Sequence, residues 1–327
     1  MSQIELNRLC KSFTVYERGE GFLGALRGSL RREKRLVHAV RDVSMRVEEG
    51  ELIGYIGPNG AGKSTTIKMM SGILVPDSGD IRILGRVPYR ERAAHVAHIG
   101  VVFGQRSQLW WDTPVLDSFE LLRDIYRVPQ TDYHRCLDDL VSLLDAQSLL
   151  SVPVRQLSLG QRMKCELIGA LLHRPRILFL DEPTIGLDAV TKLSLRSFLT
   201  DLNRRDGVTM LLTTHDMDDV EALCSRVMVI GRGQLLFDGG MESLRARYAP
   251  YRIIRARLLE DRPSLSLPGA LRVTLTGRDA QITYLPQETP AEQLIAGLAA
   301  ACPFTDLTVE APDVEQLIAD MYKELKL

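Results

Sequence analysis

Nine consecutive residues, Gly57-Pro58-Asn59-Gly60-Ala61-Gly62-Lys63-Ser64-Thr65, restrict this chain more than any other stretch. They fit G-x-x-x-x-G-K-[ST], a pattern that carries its chemistry only between a strand and a helix. Leu52 to Ile56 reads as a short apolar strand, and Thr65 to Ser71 as a helix with Gly72 at its C-cap. Glycines let backbone N–H groups turn inward around a polyphosphate where side chains would crowd it. The helix N-terminus adds partial positive charge, Lys63 a full one, and the Ser64 hydroxyl a ligand for Mg²⁺. Asn59, Gly60, Gly62, Lys63, Ser64 and Thr65 are therefore candidate nucleotide-binding residues. The alternative is a glycine turn that merely opens a helix.

A chain of 327 residues is too long for one small core and predicts two domains. A net charge of -1 gives no overall pull toward nucleic acid, and no nucleic-acid partner is expected. The five cysteines lie far apart without a C-x-x-C pair, which argues for reduced thiols in a cytosolic protein and against a zinc site or disulfide frame. No stretch reaches the roughly 18 apolar residues of a membrane helix. The N-terminus reads as no signal peptide. If the protein serves a membrane, another chain must cross it.

Ile4 to Leu9 reads as a strand, and Val43, Met45 and Val47 alternate as in a half-buried one. Between them lies a basic insert, residues 16–36, in which Phe22, Leu26 and Leu30 recur every four residues. A helix there would set an apolar stripe beside arginines, suited to an anionic membrane surface, to a partner's loop or to its own domain. Further strands are expected at Asp80 to Leu84, Ile99 to Phe103, Ile177 to Leu180, Met210 to Thr214, Arg226 to Ile230 and Gln234 to Asp238. A helical insertion, about 113–175, interrupts them. After Gly240 a linker near Glu242 to Ala249 leads to a strand-strand-strand-helix-strand-helix order, a small α+β domain over 241–327.

Hydrolysis needs a metal anchor and a group to hold the attacking water. Ile177-Leu178-Phe179-Leu180-Asp181-Glu182 is an apolar strand ending in two carboxylates, and in a parallel sheet it is expected beside the phosphate-loop strand. Asp181 would hold the Mg²⁺ shell and Glu182 would orient or deprotonate water. Leu157-Ser158-Leu159-Gly160-Gln161 opens another helix, where Ser158 and Gly160 make a second anion site. One nucleotide does not need two phosphate sites in one chain. Two copies arranged head to tail do.

In this order the motifs resemble the nucleotide-binding subunit of an ATP-binding cassette (ABC) transporter, over Ile4 to about Asp238. The resemblance implies an α/β fold: a P-loop NTPase core with an antiparallel β subdomain and a helical insertion, here followed by the small C-terminal α+β domain. It also implies roles. Phe13 stands where an aromatic residue stacks on adenine, Gly57 to Thr65 is Walker A, and Gln105 matches the Q-loop, a ligand for Mg²⁺ near the catalytic water. Leu157 to Gln161 matches the signature, Ile177 to Glu182 Walker B, Asp188 the D-loop aspartate, and His215 the switch histidine at the γ-phosphate. Catalysis would then fall to Glu182, His215, Lys63 and Gln105, with Ser64, Gln105 and Asp181 serving the metal.

Three departures stand out: LSLGQ instead of LSGGQ, with Leu159 for the first glycine; IGLD instead of SALD; and a second glutamine, Gln108, competing with Gln105. Trp110-Trp111-Asp112 follows directly, either as core of the helical insertion or as part of a groove, Gln105 to Asp112, for the coupling helix of a permease. Glu182 to Asp188, together with a C-terminal extension, is similar to ABC-2 type exporters. The expected partners are a second copy and integral membrane permease subunits, at the cytoplasmic face of the membrane. An importer ATPase and a soluble cassette ATPase are the alternatives.

Overall fold

The computed structural model describes residues 2–16, 34–104, 106–214 and 216–324. The chain falls into two compact units, Met1–Gly240 and Met241–Leu327.

In the first unit, strands β1 (Ser2–Tyr16) and β2 (Lys34–Glu48) form an antiparallel ribbon, with Tyr16 opposite Lys34. β3 (Leu52–Ile56) leads through the glycine loop into α1 (Lys63–Met70), and β4 (Ser78–Ile83) closes a three-stranded sheet in the order β2-β1-β4. α2 (Arg92–Val96) and β5 (Ile99–Phe103) follow. The helical insertion holds α3 (Val115–Tyr126), α4 (Gln130–Leu143) and α5 (Leu159–Leu171). β6 (Ile177–Asp181), α6 (Ala189–Asp206), β7 (Thr209–Thr213), α7 (Met217–Leu223), β8 (Arg226–Gly231) and β9 (Gln234–Gly239) complete the unit.

The central sheet runs β5-β6-β7-β3-β8-β9, parallel except for the β8–β9 hairpin. All five residues of β3 are buried, and so are all five of β7, as expected for parallel strands covered on both faces. α1 lies between the two sheets: Ile67, Met69 and Met70 share one core with Leu6, Val43 and Met45 of the ribbon and with Tyr55, Phe179 and Met228 of the central sheet. That enclosure places the glycine loop.

Three expectations change, and a fourth falls outside the described residues. The first strand runs to Tyr16 rather than ending at Leu9, because the ribbon continues its pairing as far as Tyr16 and Lys34. The helix expected from Phe22, Leu26 and Leu30 lies outside the described residues. β6 is not a neighbour of β3, since β7 pairs with both and separates them. The expected linker is a helix, α8 (Met241–Tyr248), because Leu244 and Tyr248, one turn apart, are buried.

The second unit continues with β10 (Arg252–Leu258), β11 (Arg272–Thr276), β12 (Asp279–Tyr284), α9 (Ala291–Ala301), β13 (Phe304–Glu310) and α10 (Val314–Glu324). Its sheet, β11-β12-β10-β13, is antiparallel throughout, and its core joins Ile254, Leu258, Ile282 and Tyr284 to Leu294 and Leu298 of α9.

Just beyond α5, His173 stacks on Tyr126 with ring centroids 3.9 Å apart and donates from Nε2 to the Ile99 carbonyl at 2.9 Å. Burial pushes its pKa down from 6.5 to about 4, against the opposing effect of that hydrogen bond. A histidine kept neutral by the fold contributes stability that is whole above 6.5 and drains as pH falls toward about 4, because the unfolded chain binds its proton first. Urea unfolding at stepped pH should therefore show the wild type losing up to about 1.4 kcal/mol per pH unit more than His173→Gln in that window. Parallel profiles for the two proteins would refute this.

Candidate nucleotide site

The glycine loop is shaped by what its missing side chains would strike. A Cβ at Gly57 would stand 2.3 Å from the Ile230 carbonyl, and one at Gly62 2.3 Å from the Ala39 carbonyl. Gly62 has φ 110° and Gly60 φ 79°, conformations that L-residues rarely adopt. Gly62 also opens α1 as its N-cap without any side-chain cap, so the first amides of the helix are left to an anion.

Lys63 is 5% exposed, and its Nζ donates to the carbonyls of Gly57 at 2.5 Å and Pro58 at 3.2 Å. Burial lowers its pKa, and attraction from Glu182 and Asp181 opposes the shift. Although β6 is two strands from β3, the two motifs meet: Ser64 Oγ donates to Asp181 Oδ1 at 3.2 Å, and Thr213 Oγ1 to the same oxygen at 2.7 Å. Glu182 has φ 57°, a strained conformation for a glutamate, and its N–H donates to the carbonyl and hydroxyl of Thr213. Hydroxyl and carboxylate oxygens are the donors Mg²⁺ prefers, so the pair Ser64 and Asp181 fits that ion. Among the described residues no cluster of three or more His, Cys, Asp or Glu forms a metal site, and all five cysteines are free.

Ser158 is the N-cap of α5 in a reciprocal capping box: Gln161 N–H donates to Ser158 Oγ at 3.2 Å and Ser158 N–H to Gln161 Oε1 at 2.9 Å. This turn packs on the segment after Walker B. A Cβ at Gly160 would meet Thr191 at 3.1 Å, and one at Gly186 would meet Leu159 Cδ2 at 2.8 Å. The two motif departures therefore fit each other, Leu159 filling the space that Gly186 leaves. Asp188 caps α6, accepting from Thr191 N and Oγ1.

Phe13 is 38% exposed on β1, with Lys11 Nζ 5.7 Å from its ring centre. Gln105 and His215 lie outside the described residues. Gln108 does not: its amide donates to the Glu166 carbonyl at 3.0 Å, so that side chain is engaged in the helical insertion. Trp110 and Trp111 are 41% and 52% exposed, which excludes a core role for either.

A cluster beside the site escaped the sequence reading. Asp219 on α7 is fully buried; it accepts from Thr184 at 2.6 Å, from Thr214 at 3.3 Å and from Arg196 Nε at 2.5 Å. It joins the segment after Glu182 to the residue before His215. Its signal was present, an acidic residue one helical turn beyond that histidine, but nothing in the spacing marked it as buried.

A glycine loop between a buried parallel strand and an enclosed helix, with a carboxylate at the end of the next strand but one in the same sheet touching the loop's serine, defines a P-loop nucleoside triphosphatase. The family model described as ABC transporter matches residues 40–185. Over 212 residues the chain is 34% identical to the ABC transporter ATP-binding protein NatA of Bacillus subtilis, covering 65% of this chain and 86% of that protein. It is 34% identical to the methionine import ATP-binding protein MetN of Geobacillus kaustophilus, covering 62% of this chain and 60% of that one. The dimeric post-hydrolysis structure of the ATP-binding cassette MJ0796 bound to ADP and Pi has the same fold, with TM-score 0.60 at 22% identity over 73% of this chain and 98% of that one. The chain belongs to the ABC transporter ATP-binding proteins, and it is an ATPase.

Replacing Asp219 by alanine should leave Arg196 with only the more distant Asp216, at 3.6 Å, and take the acceptor from two buried hydroxyls, costing about 3 kcal/mol. Asp219→Asn, which keeps one acceptor, should cost less and retain more ATPase activity. Urea unfolding and steady-state turnover of both variants check this; equal stability of Asp219→Ala and wild type would contradict it.

Proposed function

We propose that this chain is the ATP-hydrolysing subunit of an ABC-2 type exporter, in which two copies close head to tail on two ATP molecules and pull on separate membrane permeases. Residues 1–240 serve as the nucleotide-binding domain, with 113–175 as its helical subdomain, and 241–327 as an accessory domain. The observation that carries the catalytic reading is the 3.2 Å contact between Ser64 and Asp181, with Glu182 next in the chain and its charge acting on Lys63.

In each site the loop amides from Asn59 to Thr65 and the Lys63 ammonium bind the phosphates while Phe13 stacks on adenine. Ser64, Gln105 and Asp181 would hold Mg²⁺, which would neutralise phosphate charge there. Glu182 orients the attacking water and takes its proton, and His215 holds the γ-phosphate. Ser158 and Gly160 come from the other copy and Asp188 lies at the contact between copies. The exposed apolar residues flanking Asp188 support that contact: Ile185, Val190 and Leu193 are 41%, 77% and 63% exposed.

Among the described residues no helix is long and apolar enough to cross a membrane. The subunit works from the cytoplasmic face, and the exposed Trp110-Trp111 pair is its contact with the permease. Similarity to MetN favours a second reading, an importer. The direction in which vesicles holding the chain and its permease move substrate separates the two.

Glu182→Gln should lower turnover at least about a hundredfold while leaving ATP binding intact. It should also elute as a dimer in ATP and as a monomer without it. Near-normal turnover by this variant would remove Glu182 from its role.

A further inference from the structure

Glu166, on α5 two turns beyond Ser158, is 3% exposed and belongs to none of the motifs above. Its carboxylate faces the turn that follows Gly104. Ser107 Oγ donates to Oε1 and Gln108 N–H to Oε2 at 3.1 Å, while the Leu109 N–H donates to Ser107 Oγ at 3.1 Å. The Gln108 amide returns a bond to the Glu166 carbonyl at 3.0 Å. One turn along, Gly169 leaves room for Leu109, whose Cδ2 lies 3.4 Å from where a Cβ would stand.

Both ends of this short segment are tied to the reaction. At its start Gly104 N–H donates to the Asp181 carbonyl at 2.8 Å, and a Cβ there would strike the Glu182 carbonyl at 2.2 Å. At its far side the Trp111 carbonyl accepts from Arg155 N–H at 3.0 Å, Arg155 pairs with Asp112 at 2.9 Å, and Arg162 of α5 lies 5.9 Å from the Trp111 ring. The Walker B backbone, the tryptophan turn and the helix begun by Ser158 are thus joined through Glu166.

We propose that Glu166 is a positioning residue for ATP hydrolysis, latching the Ser107–Leu109 turn to α5 so that seating Ser158 on nucleotide also draws the Gly104 link into register against Asp181 and Glu182. The role rests on the head-to-tail reading given above. A carboxylate suits it because its two oxygens accept from the Ser107 hydroxyl and the Gln108 backbone amide at once. Glutamine can replace it in part, since the Ser107 hydroxyl can turn to accept from the amide while the remaining oxygen serves the backbone.

The test compares Glu166→Ala, Glu166→Gln, Ser107→Ala and the double variant Ser107→Ala/Glu166→Ala in steady-state ATPase assays, normalised to folded protein. With the latch, Glu166→Ala lowers kcat about tenfold with the ATP KM within about twofold, as a small misplacement of catalytic groups does. Glu166→Gln recovers to within about threefold, and the double variant is no slower than Glu166→Ala. Acrylamide quenching of Trp110 and Trp111, the chain's two tryptophans, rises in Glu166→Ala and not in Glu166→Gln. An unchanged kcat in Glu166→Ala, or a double variant slower by the product of the single effects, overturns the latch. Glu182→Gln separates the two failures. If it forms no ATP-dependent dimer, the head-to-tail reading falls and the latch with it; if it dimerises while Glu166→Ala keeps wild-type kcat, the latch alone falls.

Discussion

The nucleotide site depends on the enclosure of α1 between two sheets. Its loop is cast between backbone carbonyls from different layers, Ala39 on the antiparallel ribbon and Ile230 on the central sheet, and neither leaves space for a Cβ. Two more bonds knit those layers across the loop: Arg41 N–H donates to the Gly233 carbonyl at 2.7 Å, and Gly233 N–H to the Ala61 carbonyl at 2.9 Å. The helix is therefore buried on most of its sides, with only Ser64, Thr65 and Lys68 partly exposed. Its buried residues, Thr66, Ile67, Met69 and Met70, supply packing, and its uncapped N-terminus supplies the site. Folding and phosphate binding draw on the same enclosed turn of chain.

The parts of this arrangement that were legible in the sequence are those in which local pattern and tertiary role agree. Continuous apolar runs marked β3, β5, β6 and β7, the strands that make up most of the parallel central sheet. Where the two diverged, the reading failed. α6 was missed although Asp188 caps it and Gly207 ends it at φ 64°, because exposed Val190 and Leu193 break the stripe made by Leu195, Phe198, Leu199 and Leu202. The placement of β6 next to β3 was wrong for a different reason. Strand order is a property of the whole sheet, and no residue in Ile177–Asp181 records which strand lies alongside.

In the site itself, residue types at fixed spacing disclosed the loop and the carboxylates, but not what braces them. The braces are ordinary residues made special by burial: Thr213, Asp219 and Glu166 sit in no distinctive motif, and Thr184 carries no assigned role within the Glu182 to Asp188 stretch. Gln108 shows the same limit from the other side. By type and position it rivalled Gln105, and only its bond to the Glu166 carbonyl shows its amide committed elsewhere.

That bracing explains how a glutamate can hold a left-handed backbone conformation at the end of a buried strand. Leaving a strand into φ 57° costs about 1 kcal/mol or more for a residue with a Cβ. The cost is met from three directions. β7 contributes the hydroxyl and carbonyl of Thr213 to the Glu182 N–H, the start of the Gly104 link packs its bare Cα against the Glu182 carbonyl, and Asp219 ties down Thr184 two residues on. Each brace belongs to a different element: β7 runs beside the phosphate-loop strand, the Gly104 link leads to α5, and α7 follows the position of His215. A displacement of any one of them bears on the same strained peptide. The backbone at Glu182 is therefore where contacts from β7, from the Gly104 link and, through Thr184, from α7 converge.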